Sequence, residues 1–334
     1  MPKKQRKSIP IATNGWGQLQ ALLGDEDQHT SPGISLVLGA GIHKERHPTS
    51  IATSVAVNAL GSWYGLLSHF ATSQSLELDI RGGNLALTWE ELAFKCSQKG
   101  EAGNREKFAL QKLRKVIEQF RSDLPQLSPR ANLVIRDLRF LNIVNLNIDP
   151  FLVQELRSFA VQRAARTSIS TLPKIYRHSR RHRNQSTNQT IWQPHGDTDS
   201  IDSLQLGSRS YMRSVMMFEK YRNKISEVNR SVVAPKKRQS TSYKSWADVM
   251  MHSHLVFVGC GLSLHDADMW FALNCRRRYW IRDPDKTPKT FVVRVDEKNA
   301  DSIPQEYATV LSANNYDDAW KLLGWALEVR KGGK

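Results

Sequence analysis

The feature that most constrains this chain is a series of short apolar runs, each too short to be a helix, separated by stretches with helical spacing. Ile34-Ser35-Leu36-Val37-Leu38, the run Leu141 to Val144, Thr190-Ile191-Trp192-Gln193, Leu255-Val256-Phe257-Val258 and Phe291-Val292-Val293-Arg294-Val295 have the length and composition of buried strands. Between them, apolar residues recur three and four apart. Phe108, Leu113, Val116, Ile117 and Phe120 form one stripe with Lys and Arg on the opposite face; Tyr316, Ala319, Trp320, Leu323 and Leu327 form another. Strands that are apolar almost throughout belong in a parallel sheet covered on both faces. The expectation is an α/β fold with a doubly wound, Rossmann-like parallel sheet. Its 334 residues leave room for a helical insertion.

Further helices are expected over Gly15 to Leu23, over Thr49 to Ala71 with a break near Gly61, from the capping pattern Thr88-Trp89-Glu90-Glu91, and over Pro129 to Leu138. Others are expected after Pro150, over Tyr211 to Val228, near Ser245 to Met251 and over Asp266 to Arg277. The organisation read from this is a basic arm and short helix over 1–30, then one domain over 31–334. That domain carries a helical insertion at about 50–140 and basic loops at about 174–189, read as an exposed loop or hairpin, and at about 232–240.

Ligands of open α/β sheets bind beyond the carboxyl ends of the strands. Four such ends here carry polar residues or glycines. The first is Gly39-Ala40-Gly41-Ile42, where glycine lets a backbone approach a pyrophosphate; a structural turn is the alternative, since the third glycine and a following acidic ribose ligand are missing. Second come Asn147 and Asp149, two residues apart on one side of the backbone, with helix capping as their alternative role. The third is His195-Gly196, an imidazole suited to accept a proton at neutral pH. The fourth is Gly259-Cys260-Gly261-Leu262-Ser263-Leu264-His265-Asp266, where Ser263 and Asp266 would bond ribose hydroxyls or cap the next helix.

In this order the four segments resemble the motifs of sirtuin-like NAD-consuming domains, and more closely the bacterial NAD hydrolases of anti-phage defence than the protein deacetylases. Ser62-Trp63 with Leu66 and Leu67 resembles the Ser-Trp-x-x-Leu-Leu that such domains carry after the glycine loop. The resemblance covers residues 33 to 295. It implies that Gly39, Ala40, Gly41 and Ile42 cradle the pyrophosphate, that Asn147 holds the nicotinamide ribose and an attacking water, and that Asp149 supports that pocket. His195 would be the general base, with Gly259 and Ser263 on the adenosine side. NAD would be the substrate, and no metal is implied. The glycine loop continues with His43 where the family usually has Ser, and three scattered cysteines (Cys96, Cys260, Cys275) cannot build the four-cysteine zinc module of deacetylases.

By the same resemblance the chain is expected to act in abortive infection, as a homo-oligomer and with a DNA-translocating ATPase partner. A net charge of +16 adds nucleic acid or an acidic protein as a partner of the basic segments, Lys174 to Arg183 and Pro235-Lys236-Lys237-Arg238. No apolar run is long enough for a bilayer and the basic N-terminus has no apolar stretch after it, so a cytoplasmic location without membrane contact is expected. The competing functions are a regulatory module that binds NAD or ADP-ribose without cleaving it, and a NAD-dependent deacylase or ADP-ribosyltransferase.

Overall fold

The structure, a computed structural model, describes residues 14–24, 33–46, 50–78, 84–98, 105–156, 160–161, 180–184, 187, 189–208, 210–212, 215–216, 218–219, 243, 245–262, 266–295, 304 and 306–328. The expected arm 1–13, the loop 232–240 and Ser263 lie outside the described residues, as do 162–179 and most of 213–242.

Eight strands form one sheet: β1 (Ile34–Leu38), β2 (Phe140–Asn145), β3 (Ala160–Val161), β4 (Arg180–Arg183), β5 (Thr190–Gln193), β6 (His254–Val258), β7 (Thr290–Val295) and β8 (Thr309–Ala313), in the spatial order β3-β4-β5-β2-β1-β6-β7-β8. All pairings from β5 to β8 are parallel, while β3 and β4 extend the β5 edge antiparallel. Numbered by their own order in the chain, the six parallel strands run 3-2-1-4-5-6. This is a doubly wound, Rossmann-like sheet with its topological switch point between β1 and β6.

Side chains alternate across the strands, and each face has its own core. Ile34, Leu36 and Leu38 of β1, with Val256 and Val258 of β6, pack with α1 (Asn14–Gly24) and the C-terminal helix. Val37, Leu255 and Phe257 pack on the other face against Trp246, Met250 and Leu273. Five helices intervene between β1 and β2: α2 (Ile51–Leu60), α3 (Trp63–Ser73), α4 (Leu85–Gln98), α5 (Arg105–Gln119) and α6 (Pro129–Ile135). The first four of these share a third core with Ile148, Phe151 and Leu206, which lie beyond the ends of β2 and β5, so they roof the carboxyl edge of the sheet. The other α-helices bounded within the described residues are α7 (Phe151–Glu155), α8 (Trp246–His252), α9 (Ala267–Trp280) and α10 (Tyr316–Glu328).

Two expectations need correction. The helix expected to start at Thr88 starts at Leu85. Asn84 caps it by accepting from the Ala86 and Leu87 amides at 3.1 Å, and Thr88 lies inside, its hydroxyl donating to the Asn84 carbonyl. Phe291 to Val295 is not the last strand. β8 follows it, a half-exposed edge strand whose mixed composition hides it from a pattern search. Of the two forms expected for the basic run, loop or hairpin, its end at 180–183 takes the second: it is strand β4, paired antiparallel with β5. Among the described residues no helix is long and apolar enough to cross a membrane.

Candidate functional site

A cavity of about 570 Å³ opens at the carboxyl edge of the sheet. It is lined by residues following or ending five adjacent strands: His195 after β5, Asn147 and Asp149 after β2, Gly39 to Gly41 after β1, Gly259 and Asp266 after β6, and Arg294 in β7. Trp63 and Leu66 of α3 line its roof. Four of the sequence motifs, more than 200 residues apart at the extremes, thus border one space. Five strands span four interstrand spacings, or roughly 19 Å.

The two glycine turns pack on each other across the switch point. The Gly39 amide donates to the Val258 carbonyl at 3.0 Å, Gly41 to Gly259 at 2.9 Å, and Ile42 back to Gly39 at 3.2 Å. A Cβ on Gly39 would stand 2.6 Å from the Gly259 carbonyl oxygen, and Gly259 itself has φ +68, a conformation that favours glycine. The glycines are therefore required by contact between loops. This corrects the expected cradle: three of its four amides are engaged inside the protein, and Ile42 is wholly buried in the core rather than in the lining. Ala40 keeps an amide without a partner among the described residues.

Asn147 is held by its neighbours. Its backbone N–H donates to Asn145 Oδ1 at 3.2 Å, and its side-chain Nδ2 donates to the Gly39 carbonyl at 3.2 Å. The side-chain oxygen Oδ1 has no partner among the described residues, and Asn147 lines the cavity. Asp149 has two structural duties. Oδ1 accepts from the Phe151 amide at 3.1 Å, the capping role expected as its alternative, and Oδ2 meets His43 Nε2 at 3.0 Å. Arg46 donates from Nε to His43 Nδ1 at 3.2 Å and grips Glu155 with two further bonds at 2.5 and 2.9 Å. Because Nδ1 accepts from a guanidinium, the His43 proton sits on Nε2 and points at Asp149. Burial would raise the Asp149 pKa, but the His43 contact, the Phe151 amide and Arg46 outweigh it, so the carboxyl lies below its usual range. His43 thus stands behind the cavity wall and fixes Asp149. Nothing in the sequence linked these residues, which are 106 positions apart.

His195 is placed differently from a free base. Its Nδ1 faces the Leu146 carbonyl at 3.1 Å and its Nε2 the Asp268 carboxylate at 2.8 Å. Both partners are acceptors, so the ring is satisfied as an imidazolium donating twice. Burial pulls its pKa down, but Asp268, the Leu146 carbonyl and Asp266 together carry it above the ordinary value. Tyr211 stands beside it with ring centroids 5.4 Å apart, its hydroxyl pKa pushed well up by burial. Asp268 was missed by the sequence reading. Its only signal, the Asp266-Ala267-Asp268 pair at a helix start, reads equally well as capping. Asp266 lines the cavity and makes no side-chain cap bond to α9.

Among the described residues no group of His, Cys, Asp and Glu is placed to hold a metal ion, and Cys96, Cys260 and Cys275 are buried free thiols. In comparison with known proteins, the chain matches no family model and no curated protein.

Proposed function

We propose that the cavity binds NAD and cleaves its nicotinamide–ribose bond, releasing nicotinamide and ADP-ribose. The observation that carries this is the single cavity across the switch point, on which Gly39 to Gly41, Asn147, His195 and Gly259 all border. A crevice there, five strand ends long, suits an extended dinucleotide better than a single nucleotide.

In the reaction the C–N bond breaks with its electron pair leaving on the nicotinamide nitrogen. The ribose carbon becomes oxocarbenium-like, and a water oxygen bonds to it and loses a proton. Asn147 Oδ1 is positioned to orient that water or a ribose hydroxyl, because Nδ2 is tied to Gly39. The Asp149 carboxylate, held ionised by His43, places negative charge beside the developing cation. His195 takes the proton only after Nε2 has given up its own, to Asp268 or to water, and has parted from Asp268, since an imidazolium donating to both partners has no free lone pair. With both contacts in place the site is at rest, which suits an enzyme whose action depletes its own cell's NAD. With the resemblance, this supports an effector of abortive anti-phage defence, working as an oligomer in the cytoplasm with a DNA-translocating ATPase.

The same observation favours one second function: a module that holds NAD or ADP-ribose with His195 locked and never cleaves. Nicotinamide release by the full-length protein, followed by NMR with and without the partner ATPase, separates the two. Cleavage lost in Asn147→Ala is the expected result. Binding with intact NAD under both conditions would select the module.

A further inference from the structure

Phosphates at a switch point are usually met by backbone amides of the glycine turn. Here the amides of Gly39, Gly41 and Ile42 are engaged within the protein, so side chains must supply the positive charge. The lining contains two Lys or Arg side chains, Lys44 and Arg294. Lys44 follows the β1 turn and lines the cavity there. Arg294 ends β7, two strands away or roughly 10 Å across the sheet. The first position suits the pyrophosphate. The second lies at the opposite end of the cavity from Asn147 and His195, where the outer half of a dinucleotide would lie.

Arg294 is anchored by one described bond, Nη1 donating to the Gly261 carbonyl at 2.6 Å, and has no carboxylate partner among the described residues. A guanidinium has five N–H donors, so most remain for a ligand. Around it the lining is Gly261, Val293, Val295 and Tyr316, while the carboxylate of Asp266, on the loop after β6, lines the same cavity. Burial pushes the Tyr316 hydroxyl up to about 12, so it stays protonated and able to donate. In dinucleotide sites an arginine near the adenosine ribose accommodates a phosphate on it.

We propose that the β7 end of the cavity is a phosphate subsite built on Arg294, and that the preferred substrate is a dinucleotide phosphorylated on its adenosine ribose. This rests on the dinucleotide site proposed above. The test is calorimetric titration of the full-length protein with NADP and with NAD, in the wild type, Arg294→Gln and Arg294→Lys, each checked for folding by circular dichroism. The wild type should bind NADP about tenfold more tightly than NAD. That ratio should fall to near one in Arg294→Gln and be partly kept in Arg294→Lys. Equal affinities in the wild type, or a ratio unmoved by Arg294→Gln, would overturn the subsite and leave the dinucleotide site standing. Failure of both nucleotides to bind would remove the two together.

Discussion

At the scale of single residues, the site depends on who holds each functional group. Asn147, Asp149 and His195 were legible because a polar residue directly after a buried strand is an identifiable signal. Their supports were not, because Asp268, His43 and Arg46 meet them only through tertiary packing. Asp268→Asn removes the carboxylate that raises the His195 pKa, so the neutral ring should be populated from a lower pH. The acidic limb of the pH–rate profile for nicotinamide release should move downward; loss of rate with an unmoved limb would make Asp268 merely structural. His43→Ala leaves Asp149 and Arg46 without their shared partner. It should cost about 1–3 kcal/mol in urea unfolding, and a smaller change would mean that water replaces the ring at no penalty.

Among the elements, the glycine turns and the β6 start carry the sharpest expectations. A Cβ on Gly41 would stand 2.8 Å from both the Cα and the carbonyl oxygen of Gly259. Gly41→Ala should therefore force the two turns apart, at about 1–3 kcal/mol by urea denaturation; an unchanged midpoint would show that the turns are not in contact. At the opposite edge of the sheet, His254 opens β6 and its Nδ1 accepts from the Lys289 amide at 2.8 Å. Burial, then Arg276 and Lys289, lower its pKa to about 3. Its contribution to stability is thus complete above about pH 6.5 and is lost as pH falls toward 3, by about 2 kcal/mol at pH 5. His254→Asn, which keeps an acceptor for the Lys289 amide, should flatten that pH dependence; an equal slope in both proteins would assign it to other groups. The strands with uninterrupted apolar runs, β1, β2 and β6, were readable to within one residue or so. β8 was not, since a half-exposed edge strand lacks both the apolar run and a clean alternation. Nor was the start of α4, where Asn84 offers the cap and Thr88 only imitates one.

For the whole molecule, sequence order carried more than any single motif. Apolar strands alternating with helices gave the doubly wound sheet, and the rule that ligands sit at strand ends gave the place of the cavity. What sequence order could not supply was the strand order, and with it the neighbourhood of the β1 and β6 turns, which are adjacent in the sheet but 220 residues apart by their leading glycines, Gly39 and Gly259. That adjacency engages three of the amides expected to hold phosphate, and under the proposal above the task passes to Lys44 and Arg294. The most direct test is a crystal structure of the full-length protein with ADP-ribose. The account predicts one ligand lying along the cavity, its free ribose against Asn147 and His195, its pyrophosphate at Ala40 and Lys44, and its adenosine toward Arg294. ADP-ribose bound elsewhere, or lying in the cavity with its adenosine against Asn147, would contradict it.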